Sequence, residues 1–530
     1  MNLLTLVVLM HTAFAAPPKQ VKLGFRYNVE ELKDEKDAAV SFASFKDASL
    51  VPEKLPVIEG LYRQKVDHFG KQKGVNGTWF NQLYFVQDAY YKPGGPIFFY
   101  IQGEAPADKS FLEGGFSILD HLLPRYNGMA VSLEHRFYGA NADPSFPGRS
   151  VPTADLSPES LKLLTASQAI ADNARFIENF PSMFPKYKIP KKTKWITIDL
   201  IYAAHASSAP VQLQMNFWKY SYAVDEGIKF WADVKYNNGQ ACVNGWTRAV
   251  SLLDNGLVNA SKDPVALKEF KSKFWMSQVN AIADVGATVA SDFALTVQYH
   301  PSSELVGEKM ALELVCGGVE IPAFTNATAT DADLLKALQD YTIAKMQAWG
   351  ITGDDDPNVG LWFNPTTVPS TDYSFAAVSP LLWYYQSCNE FGYAQVAQPL
   401  TKEGLIESWS VYSQFNTVAK YEQWCRSLGF TKNSTIPAIN ANNKKYGGLW
   451  NYQSNILFTN GAYDPWHYLS NYKTVANPPT QVTLVLKNAT HCHDLFGPLD
   501  RTQYGTQISQ TEDDEFFGQV FATYDKWIHG

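Results

Sequence analysis

Beyond its first residues this chain contains no run approaching the ~18 consecutive apolar side chains that a membrane-spanning helix requires. No membrane span is expected. Blocks of lysine and arginine are also missing. The net charge of −8 and a pI near 5.7 make nucleic acid and anionic membrane surfaces poor partners. Cysteine is scarce, with five residues in 530, and none has the C-x-x-C spacing of a zinc site. The count is odd, so an oxidising compartment leaves one thiol over. The most consequential absence is G-x-S-x-G, the tight turn that lifts a nucleophilic serine above the end of a strand. It occurs nowhere in the 530 residues.

What is present suffices for a large core. The chain is 45% hydrophobic and 14% aromatic, which at this length implies two or more structural units. At the N-terminus, Leu3 to Met10 is apolar, and Ala13-Phe14-Ala15 fits an A-x-A cleavage site. Residues 1–15 therefore read as a signal peptide, although no Lys or Arg precedes the apolar run; the alternative is a short buried helix. Sequons at Asn76, Asn259, Asn326, Asn433 and Asn488 agree with a secretory route and mark candidate glycosylation sites. The expected location is extracellular or lysosomal.

After an extension over 16–59, residues 60–210 alternate short apolar runs with helical ones. "GGPIFFYIQG" and "GMAVSLEHRFYG" read as buried strands. "LTASQAIADNARFIENF" reads as a helix, with Thr165 and Gln168 as a capping box and Ile170, Ala174 and Ile177 on one face. "KWITI" is the next strand. Residues 211–440 carry longer helical patterns, among them "DPVALKEFKSKFWMSQVNAIADV" and "ADLLKALQDYTIAKMQAW". In 441–530 strands return as "SNILFTNG" and "TQVTLVLKN", before a final helix "DEFFGQVFATYDKWI". The order predicts an α/β sheet interrupted by a mostly helical insertion.

Chemistry enters at the last two strands. Asp464 stands just after the first and His491 just after the second. Acid then histidine at successive strand ends is the second half of a nucleophile–acid–base triad in α/β-hydrolase order. The carboxylate fixes the imidazole tautomer, and the far ring nitrogen takes the nucleophile's proton. An ordinary turn aspartate and a surface histidine are the alternative.

Several stretches together resemble the prolyl serine carboxypeptidase family, which includes lysosomal Pro-Xaa carboxypeptidase, a dipeptidyl peptidase and thymus-specific serine protease. They are "QKVDHF", "GPIFFYIQGE", "LEHRFYG", "SQAIADNARFI", "HASSAPV", "WYYQSCNEFGY", "NGAYDPWH" and "THCHDL", spread over residues 60–525. The resemblance implies an α/β-hydrolase core with a helical cap. It implies exopeptidase cleavage of peptide substrates next to proline or small residues, without cofactor or metal. Asp464 becomes the triad acid and His491 the base. His493 is the weaker choice, because His491 holds the first place of the family's A-H-x-x-D-L pattern. One oxyanion donor is expected from the loop at Gly103 and Glu104. A homodimer is one possible assembly.

The same resemblance locates what is missing. The family has a glycine-rich serine turn and a helix after W-I-T, on the order of 20 residues, the size of an elbow and its crossover helix. Here Ile198 runs directly into Asp199-Leu200-Ile201. Ser207 and Ser208 match the family's S-S-A-P strand end, and Cys492 beside His491 is a poor substitute nucleophile. The expected disulfides are Cys242–Cys316, inside the insertion, and Cys388–Cys425, with Cys492 left free because a bridge there would restrict the histidine loop. Parallel neighbours normally need a crossover of about a dozen residues. The two strands around Asp199 are therefore expected to merge or separate, or the junction to stretch. That exposes one sheet face and leads to retention of the chain in a secretory host.

Overall fold

The computed structural model describes residues 54–75, 77–115, 117–139, 149–198, 203–299, 305–306, 309–348, 350–359, 375–397, 411–450, 454–472, 481–498 and 509–530. The expected signal peptide and Asn76 lie outside them. Eight strands form the central sheet: Ile58–Lys65 (β1), Trp79–Gln87 (β2), Ile97–Ile101 (β3), Met129–Leu133 (β4), Trp195–Ile198 (β5), Ala203–Ser207 (β6), Ile456–Gly461 (β7) and Gln481–Leu486 (β8). Their order is β1-β2-β4-β3-β5-β6-β7-β8. β2 pairs antiparallel with β1 and β4, and every other neighbour is parallel. β4 is buried along its whole length and β3 at all but Tyr100, as apolar runs covered on both faces should be. The fold is an α/β-hydrolase sheet with a helical cap.

The helix Ala166–Met183 (α1) starts where Thr165 accepts from the Gln168 N–H, but the capping box is only half made. The Gln168 side chain turns instead to Asp67 and the His68 N–H. Of the face expected from the pattern, Ile177 is buried while Ile170 and Ala174 are half-buried, and the inward side also takes in Ala169, Phe176 and Phe180. Tertiary partners outrank the local pattern here. At its N-terminus, the buried Glu390 carboxylate accepts from the Ala166 N–H at 2.8 Å. Burial pushes that acid up to about 7, against the opposing pull of this bond and of Lys445. A raised carboxyl favours the fold while protonated, so its contribution is full below about 4.5 and is lost as pH rises through about 7. Glu390→Gln keeps the acceptor without the charge. Relative to it, the unchanged protein should lose about 3 kcal/mol of unfolding free energy over that window. Parallel pH curves for the two proteins would contradict this.

Between β6 and β7 lie the helices Trp218–Tyr236 (α2), Gly239–Ala260 (α3), Ile282–Gln298 (α4) and Asp331–Ala348 (α5), with shorter ones. The stretch from Asp263 to Val285 is not one helix. It breaks after Ser272 and resumes at Ile282, with Trp275 at φ 56. Trp246 of α3 centres the insertion, with Phe293, Tyr341 and Phe324 rings 4.4, 5.3 and 5.4 Å away. Cys242–Cys316 and Cys388–Cys425 are bonded, and Cys492 is a buried free thiol. The same apolar cluster takes in Ala204, Ala206, Ile456 and Phe458 of the sheet.

The pairing of β5 and β6 corrects the expectation that the strands merge or separate, while the expected stretched junction at Asp199 lies outside the described residues. β5 and β6 neither merge nor separate; they stand side by side in parallel, with Ile196 opposite Ala203. A strand starting level with Ile196 asks the chain to step back only two residues from Ile198. That is ~7 Å along the strand and ~5 Å across. The steps from Ile198 to Ala203 reach up to about 17 Å, so residues 199–202, which lie outside the described set, are long enough. Nor is a face uncovered among the described residues. Ile196 and Ala203 pack with Phe516, Val520 and Tyr524 of the terminal helix Gln510–His529 (α6), and every residue of β6 is buried.

Candidate active site

Asp464 and His491 arise from loops that leave adjacent parallel strands, β7 and β8. The loops approach so closely that only glycine fits at the end of β7. A Cβ on Gly461 would meet the Thr490 carbonyl oxygen at 2.3 Å. Backbone bonds from Tyr463 N–H to Ala489 O (2.9 Å) and from Ala462 N–H to Leu486 O (3.1 Å) zip them together. Asp464 is fully buried and His491 is 4% exposed. His491 Nδ1 lies 2.9 Å from Asp464 Oδ1, which also accepts the Trp466 N–H at 2.9 Å. Burial works against an imidazolium here, but the Asp464 carboxylate, with the Cys492 side chain beside it, outweighs burial. The His491 pKa is raised well above the usual histidine value. His493 sits in the following turn, with its ring near Phe496.

The histidine loop is anchored to the end of β6. Cys492, at φ 56, donates its N–H to Ser208 Oγ at 2.8 Å. Asp494 accepts from Ser207 Oγ at 2.8 Å and Thr459 Oγ1 at 2.9 Å, and lies 3.0 Å from His205 Nε2. His205 Nδ1 in turn is 3.0 Å from the Tyr524 hydroxyl of α6. Burial alone would raise the Asp494 pKa, yet these partners lower it, so the carboxylate is ionised. Ser207 and Ser208 thus spend their hydroxyls on the loop. Sequence reading saw neither this role nor those of His205 and Asp494, although all four stood inside quoted motifs.

Gly103 and Glu104 follow β3, whose Tyr100 is paired with Ile198, the last residue of β5. The loop they begin is secured by the Ala107 N–H to Glu134 (2.8 Å), itself paired with Arg149 at 3.0 Å. Burial raises the Tyr100 phenol, and the Cys492, Asp108 and Glu104 side chains act in the same direction. Among the described residues no group of three or more His, Cys, Asp or Glu could hold a metal, and no helix is long and apolar enough to cross a membrane. Asn259, Asn326 and Asn433 are exposed and Asn488 is half-buried.

Comparison with known proteins gives the family. Residues 64–508 match the family described as serine carboxypeptidase S28. The chain is 27% identical to the Caenorhabditis elegans protein K12H4.7, whose name places it among serine proteases, over 89% of this chain and 88% of that one. It is 24% identical to the serine protease vicPb of Bipolaris victoriae, over 84% and 86%. With thymus-specific serine protease of Homo sapiens it shares 24% identity over 78% of each. With most of its length matched, the chain belongs to the serine carboxypeptidase S28 family.

Proposed function

We propose that this chain is a form of a secretory-pathway serine exopeptidase, acting next to proline or small residues, whose nucleophile segment is absent between Ile198 and Asp199. Asp464 is the triad acid, His491 the base, and Gly103–Glu104 the oxyanion loop. Supporting this is the buried 2.9 Å pairing of His491 Nδ1 with Asp464, in a chain whose sequence carries no serine turn after Ile198. As translated, the chain is silent as a serine hydrolase. It has neither the attacking hydroxyl nor the following backbone N–H that completes an oxyanion hole. A fluorophosphonate probe should leave the purified 530-residue protein unlabelled. Stoichiometric labelling would refute the reading.

A second reading is a non-catalytic secreted relative that keeps the cleft to bind peptides or protein partners. The intact pairing and burial of β5 and β6 favour it, since the sheet closes without the lost segment. Sequencing the transcript across codons 195–205 separates the two. An in-frame segment encoding G-x-S-x-G supports the exopeptidase.

A further inference from the structure

Four hydrogen bonds close a ring through the Asp464–His491 pair, and one corner of that ring belongs to the helical insertion. Helix α4 ends at the buried Gln298. Its backbone carbonyl accepts from the His491 N–H at 3.0 Å, and its side-chain Oε1 accepts from the Trp466 indole N–H at 3.0 Å. Trp466 donates its backbone N–H to Asp464 Oδ1 at 2.9 Å, and that oxygen faces His491 Nδ1 at 2.9 Å. The circuit runs Gln298, Trp466, Asp464, His491 and back to Gln298. The Tyr220 hydroxyl of α2 also donates to Gln298 Oε1, but it lies outside the ring.

A closed ring resists displacement more than an open chain, because moving one member strains every other bond in it. An amide oxygen offers two lone pairs, and Gln298 gives one to each donor. The Trp466 indole is seated among Phe217, Tyr220 and Tyr393, with ring centres 5.3, 5.3 and 5.5 Å away. It therefore has little room to follow a shift of α4. We propose that Gln298 is a positioning residue, through which the seat of α4 sets how firmly Asp464 holds the His491 imidazole. It touches no reacting atom; it acts through Trp466 and the His491 backbone. The inference rests on the acid-and-base reading of that pair.

The test uses the 530-residue protein and proton NMR. An imidazole Nδ1–H bonded to a carboxylate gives a low-field resonance, assigned here by its loss in His491→Gln and followed against pH. Trp466→Phe keeps an aromatic ring but removes the indole donor, and Gln298→Leu removes the acceptor. Each should lower the His491 titration midpoint by about one pH unit or more, a tenfold loss of proton affinity, or abolish the resonance. Tyr220→Phe should change neither. An unmoved midpoint in Trp466→Phe overturns the proposal. An equal shift in Tyr220→Phe also overturns it, by reducing Gln298 to packing. If Gln298→Leu does not fold, Trp466→Phe decides alone. Activity plays no part in the readout, so a protein given a serine turn and helix after Ile198 and found inert to substrates would sink the functional reading and leave this one standing.

Discussion

Inserting a G-x-S-x-G turn and its helix between Ile198 and Asp199 is expected to create a peptidase, and His491→Ala in that protein should then cost roughly 10^4- to 10^6-fold in kcat. The insertion asks little of the scaffold. β5 and β6 are already parallel neighbours with Ile196 opposite Ala203, so the pairing can stay as it is while the crossover lengthens. A serine set above the end of β5 would stand beside the loop at Gly103, because β3 and β5 are adjacent and Tyr100 is opposite Ile198. His491 is already oriented. Asp464 holds Nδ1, which aims the proton-accepting role at Nε2. A loss of ~10^4 corresponds to about 5 kcal/mol of transition-state stabilisation, far more than a packing change delivers. The measurement is kcat on proline-containing peptides, with Asp464→Asn expected to follow His491→Ala by a similar order. Retention of most activity in His491→Ala would remove it as the base.

Much of this site was legible because strand ends announce themselves. β3, β7 and β8 are apolar runs closed by glycine or asparagine, and Asp464 and His491 occupy the positions that chain order assigns. Register was not legible. The forecast of a broken sheet at Asp199 took the two strands to be full-length neighbours, whereas β6 begins only at Ala203, level with Ile196. A shift of two residues turned an impossible crossover into a short one. The β1–β2 hairpin was also missed, since β1 is exposed at alternate positions and offers no apolar run. Gln298 left no motif at all. Half of its role is carried by a backbone carbonyl, which any residue possesses, and the other half depends on where a helix happens to end.

The "LEHRFYG" motif carries a physical burden that its sequence did not disclose, and it leads to the second large effect. Arg136 is completely buried, and its guanidinium forms a fork with Asp172 of α1, Nε to Oδ2 at 2.6 Å and Nη2 to Oδ1 at 2.7 Å. The remaining N–H groups reach the carbonyls of Val66 (3.2 Å), Leu163 (3.1 Å) and Lys65 (3.3 Å), so every donor of the guanidinium is used. His68 Nε2 adds a third contact to the carboxylate at 2.8 Å. The network ties the end of β1, the turn after β4 and α1 into one unit. Burial alone would raise the Asp172 pKa, but Arg136 outweighs it and the carboxyl sits below the usual range. A depressed carboxyl stabilises the fold above the ordinary aspartate pKa of about 3.9 and loses that contribution as pH falls through its folded value. Asp172→Ala removes the counter-charge and strands a guanidinium with no access to water. The expected cost at pH 7 is about 3–5 kcal/mol, against a typical domain stability of about 5–15 kcal/mol. Asp172→Leu combined with Arg136→Met should recover most of it, since well-packed apolar replacements of buried pairs are often neutral. Urea unfolding at pH 7 measures both. A loss below about 1 kcal/mol in Asp172→Ala, the value of an exposed pair, would show that the buried fork contributes no more than a surface contact.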